Sequence, residues 1–155
     1  MESSIVIISL VKRLHLGARA AIDSALIPFG VSAAQYSVLR RLQDGHELTG
    51  SALARQLFVT PQTMSRTLNG LEQAGLIERV TRIDNPTATH NRLTPAGIET
   101  VTACRTVVQT VTDIVVSPLA PEDRARFTEA LTRCTEAAER LADSAPEEAE
   151  LTARS

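Results

Sequence analysis

At 155 residues, with 43% hydrophobic and 22% charged side chains, the chain has the makeup of one soluble globular protein rather than of a fibrous or low-complexity one. A net charge of −2, three scattered histidines (His15, His46, His90) and two cysteines without a CxxC pair leave no metal site, no disulfide framework and no strongly basic surface to expect. The apolar run Ile5 to Val11 is too short to span a bilayer and has no positive charge ahead of it, so no membrane partner and a cytoplasmic protein are expected.

In chain order, the pattern predicts helices almost throughout, interrupted by one hairpin. From about Ile5 to Leu26, Ile7, Leu10, Val11, Leu14, Ala18, Ala21, Ile22 and Ala25 recur at spacings of three and four, the period of an amphipathic helix. Pro28 and Gly30 end it. Ser32 then opens a second helix as N-cap, and Gln35 three positions on completes a capping box. Val31 and Tyr36 have the spacing of a hydrophobic staple. Val38, Leu39 and Leu42 face inward, and Gly45 is the expected terminator.

A short third helix covers about Ser51 to Leu57. The fourth starts at the cap Thr60 with Pro61 in the first helical position, where a missing N–H costs nothing, and runs to about Ala74 before Gly75. The stretch Leu76 to Leu93 is rich in Val, Ile, Thr and Arg, and the turn signal Ile83-Asp84-Asn85-Pro86-Thr87 lies in its middle, which predicts a two-stranded hairpin. Thr94-Pro95 repeats the cap-and-proline device for a fifth helix. A sixth runs from about Pro121 to Ala142, and the acidic residues from Ser144 on predict a disordered tail over 144–155.

The third and fourth helices are joined by only Phe58 to Thr60, a connection that puts both apolar faces into one core only in a sharply angled helix-turn-helix. The fourth helix turns Met64, Leu68 and Leu71 inward. Gln62, Thr63, Ser65, Arg66 and Asn69 are left outside. These are short or planar hydrogen-bonding groups with one arginine, where a merely solvated face would carry Glu and Lys. Gln and Asn bond adenine edges in bidentate fashion and Arg does so with guanine, while Thr60 and the first-turn N–H groups suit a phosphate. The hairpin would project a wing beside this helix, with Arg79, Arg82, His90 and Arg92 available to backbone or minor groove. Charge follows the same division: residues 40–92 hold seven arginines against five acids, whereas 119–155 hold five against nine. No nucleophile has a recognisable base partner and no Gly-rich phosphate loop occurs, so neither an enzyme nor a cofactor is expected.

Leu53-Ala54, Val59-Thr60-Pro61-Gln62-Thr63-Met64-Ser65-Arg66, Leu71-Glu72, Gly75-Leu76-Ile77-Glu78-Arg79 and Leu93-Thr94-Pro95-Ala96-Gly97 resemble the MarR family of bacterial regulators. The resemblance implies a mainly α winged helix-turn-helix fold. Residues 31–94 would form the DNA-binding domain, and 1–30 with 95–143 the helices that intertwine in a homodimer. It further implies an inverted-repeat operator in duplex DNA, usually repressed, and release by a small aromatic or phenolic effector near the junction of the two regions. Lys12, His15 and Arg19 on the first helix, with Tyr36, are the matching pocket candidates; solvation or an intersubunit ion pair accounts for the three cations as well, and the staple for Tyr36. Two positions depart from the family pattern. Asn85-Pro86-Thr87 stands where an Asp-x-Arg wing tip is common, and Phe58 occupies a turn position often held by glycine. The departure at the wing tip, with the acidic balance, leaves an alternative: a winged dimer that has lost DNA binding and acts through protein–protein contact.

Overall fold

The computed structural model describes residues 3–43, 46–83 and 85–152, with the side chains of Arg82, Asn85 and 143–152 outside that description. Among the described residues, six helices and three strands follow in the order α1 (Ser4–Leu26), a 3₁₀ turn (Ile27–Phe29), α2 (Ala33–Leu42), β1 (Leu48–Thr49), α3 (Gly50–Gln56), α4 (Pro61–Gln73), β2 (Ile77–Arg82), β3 (Asn85–Leu93), α5 (Pro95–Val116) and α6 (Pro121–Thr152). The chain divides into two compact units, residues 1–114 and 115–155. No helix among the described residues is long and apolar enough to cross a membrane.

The helix starts obey local chemistry. The Ser32 side chain accepts from the Gln35 N–H while the Gln35 side chain accepts from the Ser32 N–H, closing the predicted capping box. Thr49 and Thr60 cap α3 and α4 through their hydroxyls, and Thr94 does the same for α5 by accepting from Gly97 N–H. Gly30 and Gly75 both adopt positive φ, where a Cβ is penalised. At Gly75 the Schellman pattern is complete: Gly75 N–H donates to Glu72 and Leu76 N–H donates to Leu71. The expected terminator Gly45 lies outside the described residues, and α2 already ends at Leu42.

The core of the first unit collects Val38, Leu39 and Leu42 of α2, Leu53 of α3, Met64, Leu68 and Leu71 of α4, and Val101 with Cys104 of α5. The stripes of α2, α3 and α4 are buried as their spacing predicts; α5 buries Val101 and Cys104 but leaves Ile98 exposed, α6 leaves Phe127 and Leu141 exposed, and α1 is open along most of its length. Of its apolar residues only Leu26 is fully buried; Ile5 is 77% exposed, and Ile7, Leu10, Val11 and Leu14 are also open in the single chain. Burying a Leu or Ile side chain stabilises by about 1.5–3 kcal/mol, so an open row of this length marks a surface that needs cover.

Two expectations about the wing require correction. The predicted hairpin forms as β2 and β3, but it does not stand alone: β1 pairs with β3 at Leu48↔Asn91 and Thr49↔His90, giving a three-stranded antiparallel sheet in the order β1-β3-β2. Two residues are too few to show any period, so β1 leaves no pattern in the sequence. The turn is also tighter than the signal suggests, since Arg82 already pairs with Asn85 and Pro86 lies inside β3. Proline is tolerated there because β1 reaches only His90 and Asn91, leaving the tip of β3 with a single neighbour. The backbone of α6 likewise runs to Thr152, through positions where composition predicts a disordered tail; Ala and Glu are strong helix formers and extend it.

Candidate nucleic-acid interface

The α3–α4 joint sets the direction of α4. Phe58 takes φ 53, the left-handed conformation that costs a non-glycine residue about 1–2 kcal/mol. Two bonds offset this: Phe58 N–H donates to Arg55 and Val59 N–H to Ala54, the same Schellman geometry that glycine gives at the end of α4. The ring itself is 73% exposed, so side-chain burial does not repay the strain.

Beyond this joint, α4 presents two unlike faces. Met64, Leu68 and Leu71 are buried, and Gln62, Thr63, Ser65, Arg66 and Asn69 are exposed. Gln62, Arg66 and Asn69 fall at i, i+4 and i+7, one stripe along the helix. Its 13 residues span roughly 20 Å, a length that lies along a major groove. At its start the Thr60 hydroxyl accepts from the Thr63 N–H at 3.1 Å and donates to the Thr63 hydroxyl at 2.9 Å, so these two groups are mutually held. Among the described residues no hydrogen bond or ion pair engages the side chains of Gln62, Ser65 or Arg66, which leaves their donors and acceptors to solvent or a partner.

The wing residues predicted to reach DNA are placed differently. Arg79, on β2 close to α4, donates to the Asn69 side-chain oxygen and pairs with Glu72 at 3.1 Å. Arg92 is held by Glu78 at 2.7 Å and by Glu47 at 3.6 Å. His90 is buried, its Nδ1 3.2 Å from the Ala88 carbonyl, because its register opposite Thr49 and Val80 turns it into the sheet. Arg79, His90 and Arg92 are therefore not the free wing groups the sequence suggests. The first and third are satisfied by acids from neighbouring elements, and the second faces inward. The side chain of Arg82, beside the turn, lies outside the described residues.

Thr94 joins the wing to the helices. Its N–H donates to Leu76 at 3.1 Å and its hydroxyl to Gly75 at 2.6 Å, so the far strand returns directly onto the end of α4. Gly97 makes this closure possible, since a Cβ there would lie 2.0 Å from the Leu76 carbonyl oxygen.

Behind α4 a hollow of about 250 Å³ is lined by His15 and Arg19 of α1, Ala34 and Ser37 of α2, and Met64 and Thr67 of α4. Two of the four pocket candidates thus meet, directly against the inner side of the helix whose outer side is polar. Lys12 is exposed and is not among the lining residues. Tyr36 lies on a separate hollow with Arg40 and Arg41, and burial raises its pKa above the ordinary value. Sequence reasoning missed Asp23, which accepts from the Ala33 N–H at 2.6 Å at the start of α2 and pairs with Arg19 at 3.9 Å. Its only signal was the i, i+4 spacing from Arg19. Thr67 and Ser37 had none.

The model of the MarR family matches residues 29–85. The HTH-type transcriptional repressor Rv2887 of Mycobacterium tuberculosis is 31% identical over 107 residues, which cover 68% of this chain and 77% of that protein. Among solved structures, the M. tuberculosis MarR family protein Rv2887 in complex with DNA aligns with TM-score 0.65 at 28% identity, over 81% of this chain and 94% of that one. Its complex with salicylic acid aligns with TM-score 0.66 at 27% identity, over 81% and 93%. Wild-type apo MarR from E. coli, at 21% identity and TM-score 0.71 over 81% and 94%, shares the fold. With the fold, the cap positions and a relative of this similarity over most of both proteins in agreement, the chain belongs to the MarR family of transcriptional regulators.

Proposed function

We propose that this protein is a cytoplasmic, homodimeric repressor that binds an inverted-repeat operator through Thr60, Gln62, Thr63, Ser65, Arg66 and Asn69, and is released by a small aromatic or phenolic acid. The observation that carries the reading is the outer face of α4, where polar side chains stand exposed on a helix fixed by its buried face. Residues 31–94 act as the DNA-binding domain. The segments 1–30 and 95–143 supply the dimer contact, a role supported by the open apolar row of α1. Two copies of α4 related by a two-fold axis then read half-sites about one helical turn apart.

The effector reading rests on the hollow beside His15 and Arg19. A carboxylate there meets cationic and donor groups, an aromatic ring meets Ala34 and Met64, and Thr67 puts the occupant in touch with α4 itself. The relative Rv2887 has been crystallised with salicylic acid and with DNA, which supports both partners for this chain. Of the wing cations, Arg82 is the one proposed to contact the phosphate backbone.

Selection of bound fragments from genomic DNA, followed by gel shift with and without salicylate, tests this function. The expected result is an inverted repeat, bound by a dimer with an affinity that falls steeply with salt and released by the aromatic acid. Absence of any retardation at low salt contradicts it and favours a winged dimer that acts through protein–protein contact instead.

A further inference from the structure

We propose that Arg79 is a positioning residue for DNA reading: by donating to the side-chain oxygen of Asn69 it draws that oxygen toward β2 and leaves the amide N–H groups leading, so that Asn69 favours keto bases, guanine or thymine, over adenine. The inference rests on the reading of α4 as the DNA-facing helix.

A guanidinium carries five donors and no acceptor, so the atom of Asn69 that faces it is the oxygen. Arg79 Nη2 donates to Asn69 Oδ1 while Arg79 Nε sits 3.1 Å from a Glu72 carboxylate oxygen. The planar fork is thus held at two points, one on the amide and one on the carboxylate, and both partners lie on the outer side of α4. Arg79 is anchored from below by its strand, where it stands opposite Asn91 in the β2–β3 register. A sequence-only view gives Asn69 the bidentate adenine contact, in which the amide oxygen accepts from the adenine amino group and the amide nitrogen donates to N7. With Oδ1 drawn toward Arg79 and one of its two lone pairs taken, the amide is no longer free to turn its oxygen and nitrogen together onto an adenine edge. What remains is an NH₂ group on the same stripe as Gln62 and Arg66, suited to the acceptors of guanine (O6 and N7) or thymine (O4), and unsuited to the amino groups that adenine and cytosine present at the same place in the major groove. Arg79 also neutralises Glu72, which would otherwise face the phosphates as a bare carboxylate.

Binding-site selection from a pool of randomised duplexes, read by sequencing, tests this with the full-length wild type, Asn69→Ala, Arg79→Lys, and Arg79→Met paired with Glu72→Gln so that no uncompensated acid is left. Asn69→Ala is expected to lose base preference at one position of each half-site, and that position defines where Asn69 reads. There the wild type and Arg79→Lys, which retains a donor for Oδ1, are expected to enrich guanine or thymine. The Arg79→Met/Glu72→Gln variant frees the amide to turn its oxygen toward the base and is expected to shift toward adenine by about fivefold or more. A loss of folding alone lowers recovery of all sequences and does not change the base at one position. Adenine preferred by the wild type, an unchanged preference in the Met variant, or no position affected by Asn69→Ala overturns the inference while leaving DNA binding intact. If the wild type enriches no sequence at all, the DNA-facing reading of α4 fails, and this inference with it.

Discussion

The outer face of α4 and the wing beside it hold the same kinds of side chain in opposite states. On α4, Arg66 and Gln62 stand exposed with no side-chain partner among the described residues, whereas on the wing Arg79 and Arg92 are each bound to acids and His90 is buried. An arginine beside a carboxylate brings a phosphate little net charge, whereas an unpaired one brings a full positive charge. Residue type is therefore a poor guide to contact in this protein, and the company a residue keeps is a better one. The same holds for Arg79, His90 and Arg92 on the wing as for the helix.

The comparison holds only while the two regions stay locked together, so the largest effect is expected at their joint. Gly97→Ala places a methyl group against the Leu76 carbonyl, and overpacking of that severity is expected to cost about 3 kcal/mol in denaturant unfolding. A wild-type midpoint for this variant would mean that α5 does not press on the end of α4. At the other joint, Phe58→Asn keeps the left-handed turn but replaces an exposed ring with a residue that tolerates it, and is expected to stabilise by about 1 kcal/mol without loss of DNA binding. Destabilisation by the same amount would show that the ring is packed against something.

Stability should also fall at alkaline pH. Burial raises both Cys104 and Tyr36 above their ordinary 9.0 and 10.0, so the folded state favours their neutral forms. That contribution is whole below the ordinary values and is lost as pH rises through the raised ones, a decline to be read in melting temperature as pH rises above the ordinary 9.0 of a cysteine. Cys104→Ala should flatten the lower part of the curve. The smallest effect belongs to Arg92→Ala, which removes a cation already paired with Glu78 and Glu47; operator affinity should change by no more than about twofold. A tenfold loss would reverse the assignment of the wing.

Much of the fold was legible because its signals are local. Ser32 with Gln35, Thr60 with Pro61, and Thr94 with Pro95 each mark a helix start within a few positions, and the buried stripe of α4 follows from period alone. The short α3–α4 connection then left only one way to fold the pair. Where the sequence failed, the cause was contact between distant elements. Arg79 meets Glu72 and Asn69 only because β2 lies back along α4, and Arg92 meets Glu47 only because β1, itself two residues long, brings that acid beside β3. His90 is turned inward by a register fixed from both sides. The hollow at His15 and Arg19 was half visible as a cluster of cations; Thr67 and Ser37, which complete it from α4 and α2, carry no pattern of their own.

The most direct test is the ratio of operator affinity to random-duplex affinity for Arg66→Ala against the wild type, measured at one fixed salt concentration. An unpaired arginine that reads a base predicts that the ratio falls by about 1–3 kcal/mol while random-duplex binding changes far less. An unchanged ratio would contradict the claim that the exposed face of α4 is the surface that reads DNA.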